Sequence, residues 1–103
     1  MTATAKDIVT TIASHRYLVA MLAVDAAKEN KTATKAAMNA AKAASDAAFA
    51  TRDSSADALA EYVYLNARYN VAEAMFKAAC RVVDLAEIDL RDAWLDCQDA
   101  RAA

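Results

Sequence analysis

The chain has 103 residues, a net charge of −2 and a calculated pI near 5.2, with neither glycine nor proline. Average chains carry roughly 7% Gly and 5% Pro, and hairpins need Gly, Asn or Asp at their turns, so this composition excludes a sheet protein. A length near 100 residues bounds the chain to one domain, 1–103, with a modest core. Of the 58% hydrophobic residues, thirty are alanine, which favours helix but buries little area, so the larger apolar side chains must carry the stability. The expected class is all-α: an antiparallel, coiled-coil-like bundle of about three helices, at about 5–29, 33–50 and 55–100, the last being long.

The first helix is expected to open on Thr4 and Asp7, spaced as a capping box with Asp in place of Glu. Ile8, Ile12, His15, Val19, Leu22 and Ala26 follow the alternating four-and-three spacing of a buried seam, which Val9, Leu18 and Met21 widen. Tyr17–Val24 is the longest strongly apolar run. It is short of the roughly 18–20 residues of a membrane span and reads as a buried helix segment rather than a signal-peptide core, so no membrane association is expected.

Asn30, Lys31 and Thr32 supply C-cap and N-cap chemistry for a first break. The short second helix then presents an all-alanine row, Ala33, Ala37, Ala40, Ala44 and Ala47. Arg52–Ser55 form a second break, with Ser54 and Asp57 spaced as another capping box.

The third helix carries the longest periodicity: Ala58, Tyr62, Leu65, Tyr69, Ala72, Phe76, Ala79, Val83, Ala86, Leu90, Ala93 and Cys97. Each heptad has one bulky position. The other is alanine except at Leu65. Such sustained heptads indicate coiled-coil packing, and the recurring alanine resembles the Alacoil pattern of closely approached antiparallel helices. At 1.5 Å per residue this helix is about 68 Å long, more than two shorter helices cover. It must either bend near Arg68–Asn70 or bury its remaining seam against a second copy, which suggests a homodimer.

Charge is uneven. Residues 1–52 hold seven basic and four acidic side chains, and residues 53–103 hold five and ten. Lys28, Lys31, Lys35 and Lys42 are expected to lie near the acidic stripe Asp89, Asp92, Asp96 and Asp99, which opposes the dipole at the end of its own helix and so calls for a partner.

Catalytic chemistry is not supported. His15, the only histidine, falls on the expected seam and reads as a core residue. With Cys80 and Cys97 it makes no zinc set, and the two thiols, about 25 Å apart on one helix, read as reduced cysteines of a cytoplasmic protein. Without glycine there is no phosphate-binding loop. No enzyme activity, cofactor or metal is therefore expected. The leading reading is a small inhibitor, regulator or adaptor that binds a larger protein through Tyr64, Arg68, Trp94 and the acidic stripe, since Tyr, Trp and Arg are favoured interaction anchors. The alternatives are an acidic nucleic-acid mimic that inhibits a nuclease or other DNA-acting enzyme, and a self-assembling structural protein. Direct nucleic-acid binding is not expected.

Overall fold

The computed structural model describes residues 3–102 and is all-helical, with no strand among them. There are two helices, α1 (Ala5–Ala50) and α2 (Ala56–Ala102), rather than three. The expected break at Asn30–Thr32 is helical throughout. No residue there is forced out of the helix. Asn costs only a fraction of a kcal/mol in a helix, the described residues include no positive φ, and the Thr34 hydroxyl donates back to the carbonyls of Asn30 and Lys31 at 2.8 and 3.0 Å, as a threonine inside a continuing helix does.

The capping box at the start of α1 forms as expected. Thr4 Oγ1 accepts from the Asp7 amide at 3.1 Å, and Asp7 Oδ2 accepts from the Thr4 amide at 3.1 Å. Those two bonds satisfy two amides the helix leaves unpaired and hold the Asp7 carboxyl below its ordinary pKa, the Thr4 amide being the main cause.

The second break is real. The chain turns through Thr51–Ser55 without positive φ. The amides of Thr51 and Arg52 return to the carbonyls of Ala48 and Phe49, and Arg52 Nη1 also donates to the Phe49 carbonyl at 2.7 Å. Its guanidinium lies 3.6 Å above the Phe49 ring, which packs edge-on against Tyr62 at 5.4 Å. The cap of α2 is Ser55, not Ser54: its hydroxyl accepts from the Ala58 amide at 3.0 Å. Ser54 instead donates to the Thr51 carbonyl. α2 then runs unbroken past Arg68–Asn70.

Packing divides the chain into two units, each built from both helices: a terminal unit of residues up to Lys28 with those from Arg81 onward, and a turn unit of Glu29–Cys80. In each unit the pairing is antiparallel, as Arg16–Asp96 and Lys28–Glu87 show in the first and Phe49–Tyr62 in the second.

The α2 seam is the one expected; each of its twelve positions is buried or half-buried. The α1 seam is not. Ile8, Ile12, Val19 and Leu22 are 52, 56, 51 and 68% exposed, and His15 and the row Ala33–Ala47 are exposed too. Within Tyr17–Val24, read above as a buried segment, only Val24 is buried. α1 faces α2 with Thr10, Ala13, Tyr17, Ala20, Val24 and Ala27 in the terminal unit, and with Lys31, Thr34, Met38, Ala41, Ser45 and Ala48 in the turn unit. This is again an alternation of three and four.

Size complementarity explains the choice of face. Contacts such as Ser14–Cys97 and Phe49–Tyr62 fix the register. At that register small α1 residues meet bulky α2 residues, Ala20 opposite Leu90, Ala27 opposite Val83 and Ala41 opposite Tyr69. Bulkier α1 residues meet alanines, Tyr17 opposite Ala93, Val24 opposite Ala86 and Met38 opposite Ala72. Leu65, out of pattern in α2, falls opposite Ser45, a small residue where α1 is otherwise bulkier. Interiors must fill space to near-crystalline density, and two bulky faces brought together would hold the backbones apart. The α2 seam is therefore covered in both units, and the uncovered seam that suggested a homodimer does not exist.

α1 holds an 18-residue stretch near the N-terminus that is, by length and composition alone, apolar enough to cross a membrane, as core helices of soluble proteins also can be. Counting an uninterrupted run misses it, because an average tolerates His15 and Arg16 inside an apolar stretch.

Candidate functional site

In the turn unit the seam is flanked by two grooves. One has a floor of small α1 side chains, Ala37, Ala40, Ala41 and Ala44, and is closed by Leu65 and Arg68 of α2; its volume is about 350 Å³. Arg68 also borders a shallow apolar depression on α2 itself, with Tyr64, Val71 and Met75. Its guanidinium lies 5.8 Å from the Tyr64 ring centroid, a cation–π contact between exposed side chains. Tyr64 and Arg68 are thus brought together, as the sequence suggested. The alanine row beside them was legible, but as a buried seam. Val71 and Met75 were missed, although both stand one residue before a seam position, as Tyr64 and Arg68 do.

The opposite groove is polar, lined by Lys42, Ser45, Asp46, Asn66 and Tyr69 among others. The Tyr69 hydroxyl donates to Glu73 Oε2 at 2.8 Å, and Lys77 Nζ donates to Oε1 at 3.1 Å. These two bonds hold the Glu73 carboxyl below its ordinary pKa, and Glu73 raises that of Tyr69. All three groups are committed to one another along a single helix face.

In the terminal unit, among the described residues, Asp96 of the acidic stripe pairs with Arg16 at 3.3 Å. Asp89 lines a groove of about 510 Å³ with His15, Arg16, Val19 and Ala86. Asp92 and Asp99 are exposed on the same flank. Trp94, 46% exposed, lies about 140–160° around the helix from each aspartate at 100° per residue, so the tryptophan and the stripe do not form one surface. The lysines do not gather on the stripe: Lys28 pairs with Glu87 at 3.8 Å, and Lys42 lines the polar groove of the turn unit. Arg16 and Asp96 are both more than half exposed, so their pair orients the helices more than it stabilises them, at about 0–1 kcal/mol.

Both cysteines are free, Cys97 buried with its Sγ 3.8 Å from Ser14 Oγ and Cys80 half-buried. Among the described residues no group of three or more His, Cys, Asp or Glu side chains could hold a metal. What the arrangement offers is shape and apolar surface. The alanine floor admits another backbone closely, Tyr64, Val71 and Met75 supply contact area, and Arg68 supplies the one charge. No protein-family model matches the chain, and neither a curated protein nor a solved structure is detectably similar to it.

Proposed function

We propose that this chain is a non-enzymatic helical binding protein, a small inhibitor, regulator or adaptor that takes up an apolar helix of a larger protein in its turn unit. The observation that carries the reading is the alanine-floored groove beside Arg68, continued by Tyr64, Val71 and Met75. Grooves between helices receive amphipathic helices through anchors spaced at three and four residues, and small floor residues allow the close approach of Alacoil-type packing. Arg68 favours a partner helix with an acidic residue on its edge. The free thiols fit a reducing, cytoplasmic setting.

The acidic stripe supports nucleic-acid mimicry less well, because Asp96 is engaged by Arg16 and Arg91 and Arg101 interrupt the run. Capture of partners on tagged wild-type protein, Ala40→Arg and Arg68→Glu tests the binding reading. A stoichiometric partner held by the wild type and lost by both variants, at unchanged helicity, supports it. Equal retention by both variants removes the groove from the function. A partner that instead leaves with moderate salt and returns with Arg68→Glu points to the stripe.

A further inference from the structure

The polar groove of the turn unit lies on the other side of the seam from Arg68 and holds two opposite charges that form no pair. Lys42, Ser45, Asp46 and Phe49 follow one another at three- and four-residue steps on α1 and so share one face. Asn66 and Tyr69 of α2 supply the facing wall, and the volume is about 260 Å³. Lys42 and Asp46 stand one helical turn apart, the spacing at which opposite charges meet. Among the described residues neither enters an ion pair or a side-chain hydrogen bond. Glu73 and Lys77 have the same spacing with the acid first, and they do meet, at 3.1 Å. The base-first order of Lys42 and Asp46 is the weaker one in a helix, which leaves both groups open to a third.

Ser45 points to the same place. It is only 5% exposed, yet it lines the groove. Other hydroxyls of α1 turn back onto the carbonyl one turn earlier, Thr11 onto Asp7 and Thr34 onto Asn30, each at 2.8 Å. The Ser45 hydroxyl makes no such bond, nor any other among the described residues. Every sealed side-chain oxygen or nitrogen among them has a partner, so the Ser45 oxygen is the part of that residue left open, and it opens on the groove. Alanine, the residue at thirty positions of the chain, would fill the same layer beside Leu65. What serine adds is one hydroxyl between the two free charges.

We infer that this groove binds a free α-amino acid with an apolar side chain, its carboxylate on Lys42 and its ammonium on Asp46. A lone anion would face Asp46 and a lone cation would face Lys42. A zwitterion satisfies both. Ser45 and the Asn66 amide each offer a donor and an acceptor, so either end of the ligand finds a second hydrogen bond. Tyr69 has its proton committed to Glu73 and offers only its oxygen. Toward the turn the groove is closed by the rings of Phe49 and Tyr62, which receive the side chain. From Lys42 to Phe49 the helix rises about 10 Å, the reach of an amino acid with a medium or large side chain. The volume agrees: a cavity of about 150 Å³ already holds benzene, and drug-sized ligands occupy about 300 Å³ or more.

NMR titration of the nitrogen-15-labelled full chain with L-leucine, L-methionine and L-phenylalanine tests this, beside N-acetyl-L-leucine and L-leucinamide, which lack one charge each. The expected result is a saturable shift of amides in 42–49 and 62–69 with at least one free amino acid. Both blocked forms of leucine should bind about tenfold or more weakly than leucine, since each leaves one charge unanswered. Lys42→Gln and Asp46→Asn should weaken binding to a similar extent, Ser45→Ala less, and Asp25→Asn on exposed α1 surface of the terminal unit not at all. The exchange Lys42→Asp with Asp46→Lys keeps both charges but puts the acid first, so they should pair with each other and binding should be lost at unchanged helicity by circular dichroism. No saturable shift in those two segments with any of the three amino acids, blocked forms that bind as tightly as leucine, or an exchanged variant that binds like the wild type would each overturn the proposal. The Arg68 groove is not involved, so loss of partner capture on Ala40→Arg leaves this prediction standing.

Discussion

The two units solve the same packing problem with different materials. The terminal unit buries Ala13, Val24, Ala27, Val83, Ala93 and Cys97, while the turn unit buries only Ser45 and Ala79 and fills its seam with half-buried Tyr62, Tyr69, Phe76 and Met38. Outside the seam the contrast reverses on α1, whose terminal half exposes Ile, Val, Leu and Met and whose turn half exposes mainly alanine. Apolar content alone therefore does not locate a core. What is buried is what fits the opposite helix, and the surplus is left as surface for something else.

The largest effect should come from overfilling the tighter seam. Ala93→Leu, at a position only 5% exposed and opposite Tyr17, should destabilise by about 2–3 kcal/mol. Ala72→Leu in the turn unit, half-buried opposite flexible Met38, should cost about 1 kcal/mol. Urea unfolding of both variants measures the difference, and equal losses would erase the distinction drawn between the units.

Next in size is a compensation test in the turn unit. Ser45→Leu should cost about 2 kcal/mol by crowding Leu65. Adding Leu65→Ala should recover most of it, and the coupling appears in a double-mutant cycle. Additive losses would mean the two residues do not face each other. Ser55→Ala should then cost about 1 kcal/mol by removing the α2 cap, with faster amide exchange confined to the first turn after Ser55.

The smallest effect is a pH dependence at the other helix start. The folded pKa of Asp7 is depressed, so its contribution is complete above the unfolded carboxylate pKa and is lost as pH falls through the folded value. Amide exchange in the first turn of α1 should quicken over that acidic interval; Asp7→Asn should abolish the pH dependence, whereas Thr4→Ala, which keeps the Thr4 amide, should only reduce it. Glu73 behaves likewise, its depression resting first on Tyr69. Tyr69→Phe should return its titration, followed by carbon-13 NMR, toward the ordinary glutamate range.

The all-helical class, the whole α2 seam, the Thr4–Asp7 cap and the Arg52–Ser55 turn were legible from composition and local spacing; the number of helices was not. The Tyr64–Arg68 pair was legible for the same reason, as one turn of helix. The α1 face was not. Amphipathicity selects the most apolar stripe, and that rule chose Ile8–Leu22. The deciding property was volume relative to α2, which belongs to the pair and not to either helix. A signal was nonetheless present: the alternation from Thr10 to Ala48 continues through Asn30–Thr32 without a phase change, which one uninterrupted helix requires and two helices would not preserve. The alanine groove followed from the same misreading, since its floor had been assigned to the interior.

A seam that repeats every seven residues has no unique alignment of its own. Sliding one helix past the other by a heptad would restore nearly every layer, with bulky groups again opposite small ones. Ser45 and Leu65 break that degeneracy: after such a slip Leu65 would face Arg52, and Ser45 would face Ala72, leaving a gap. The pair works as an indexing pin on an otherwise graduated scale, and the scale can be re-cut. Removing one heptad from each helix at the same level of the terminal unit should leave every remaining layer matched, shortening that unit by about 10 Å while the turn and the Arg68 groove stay in place.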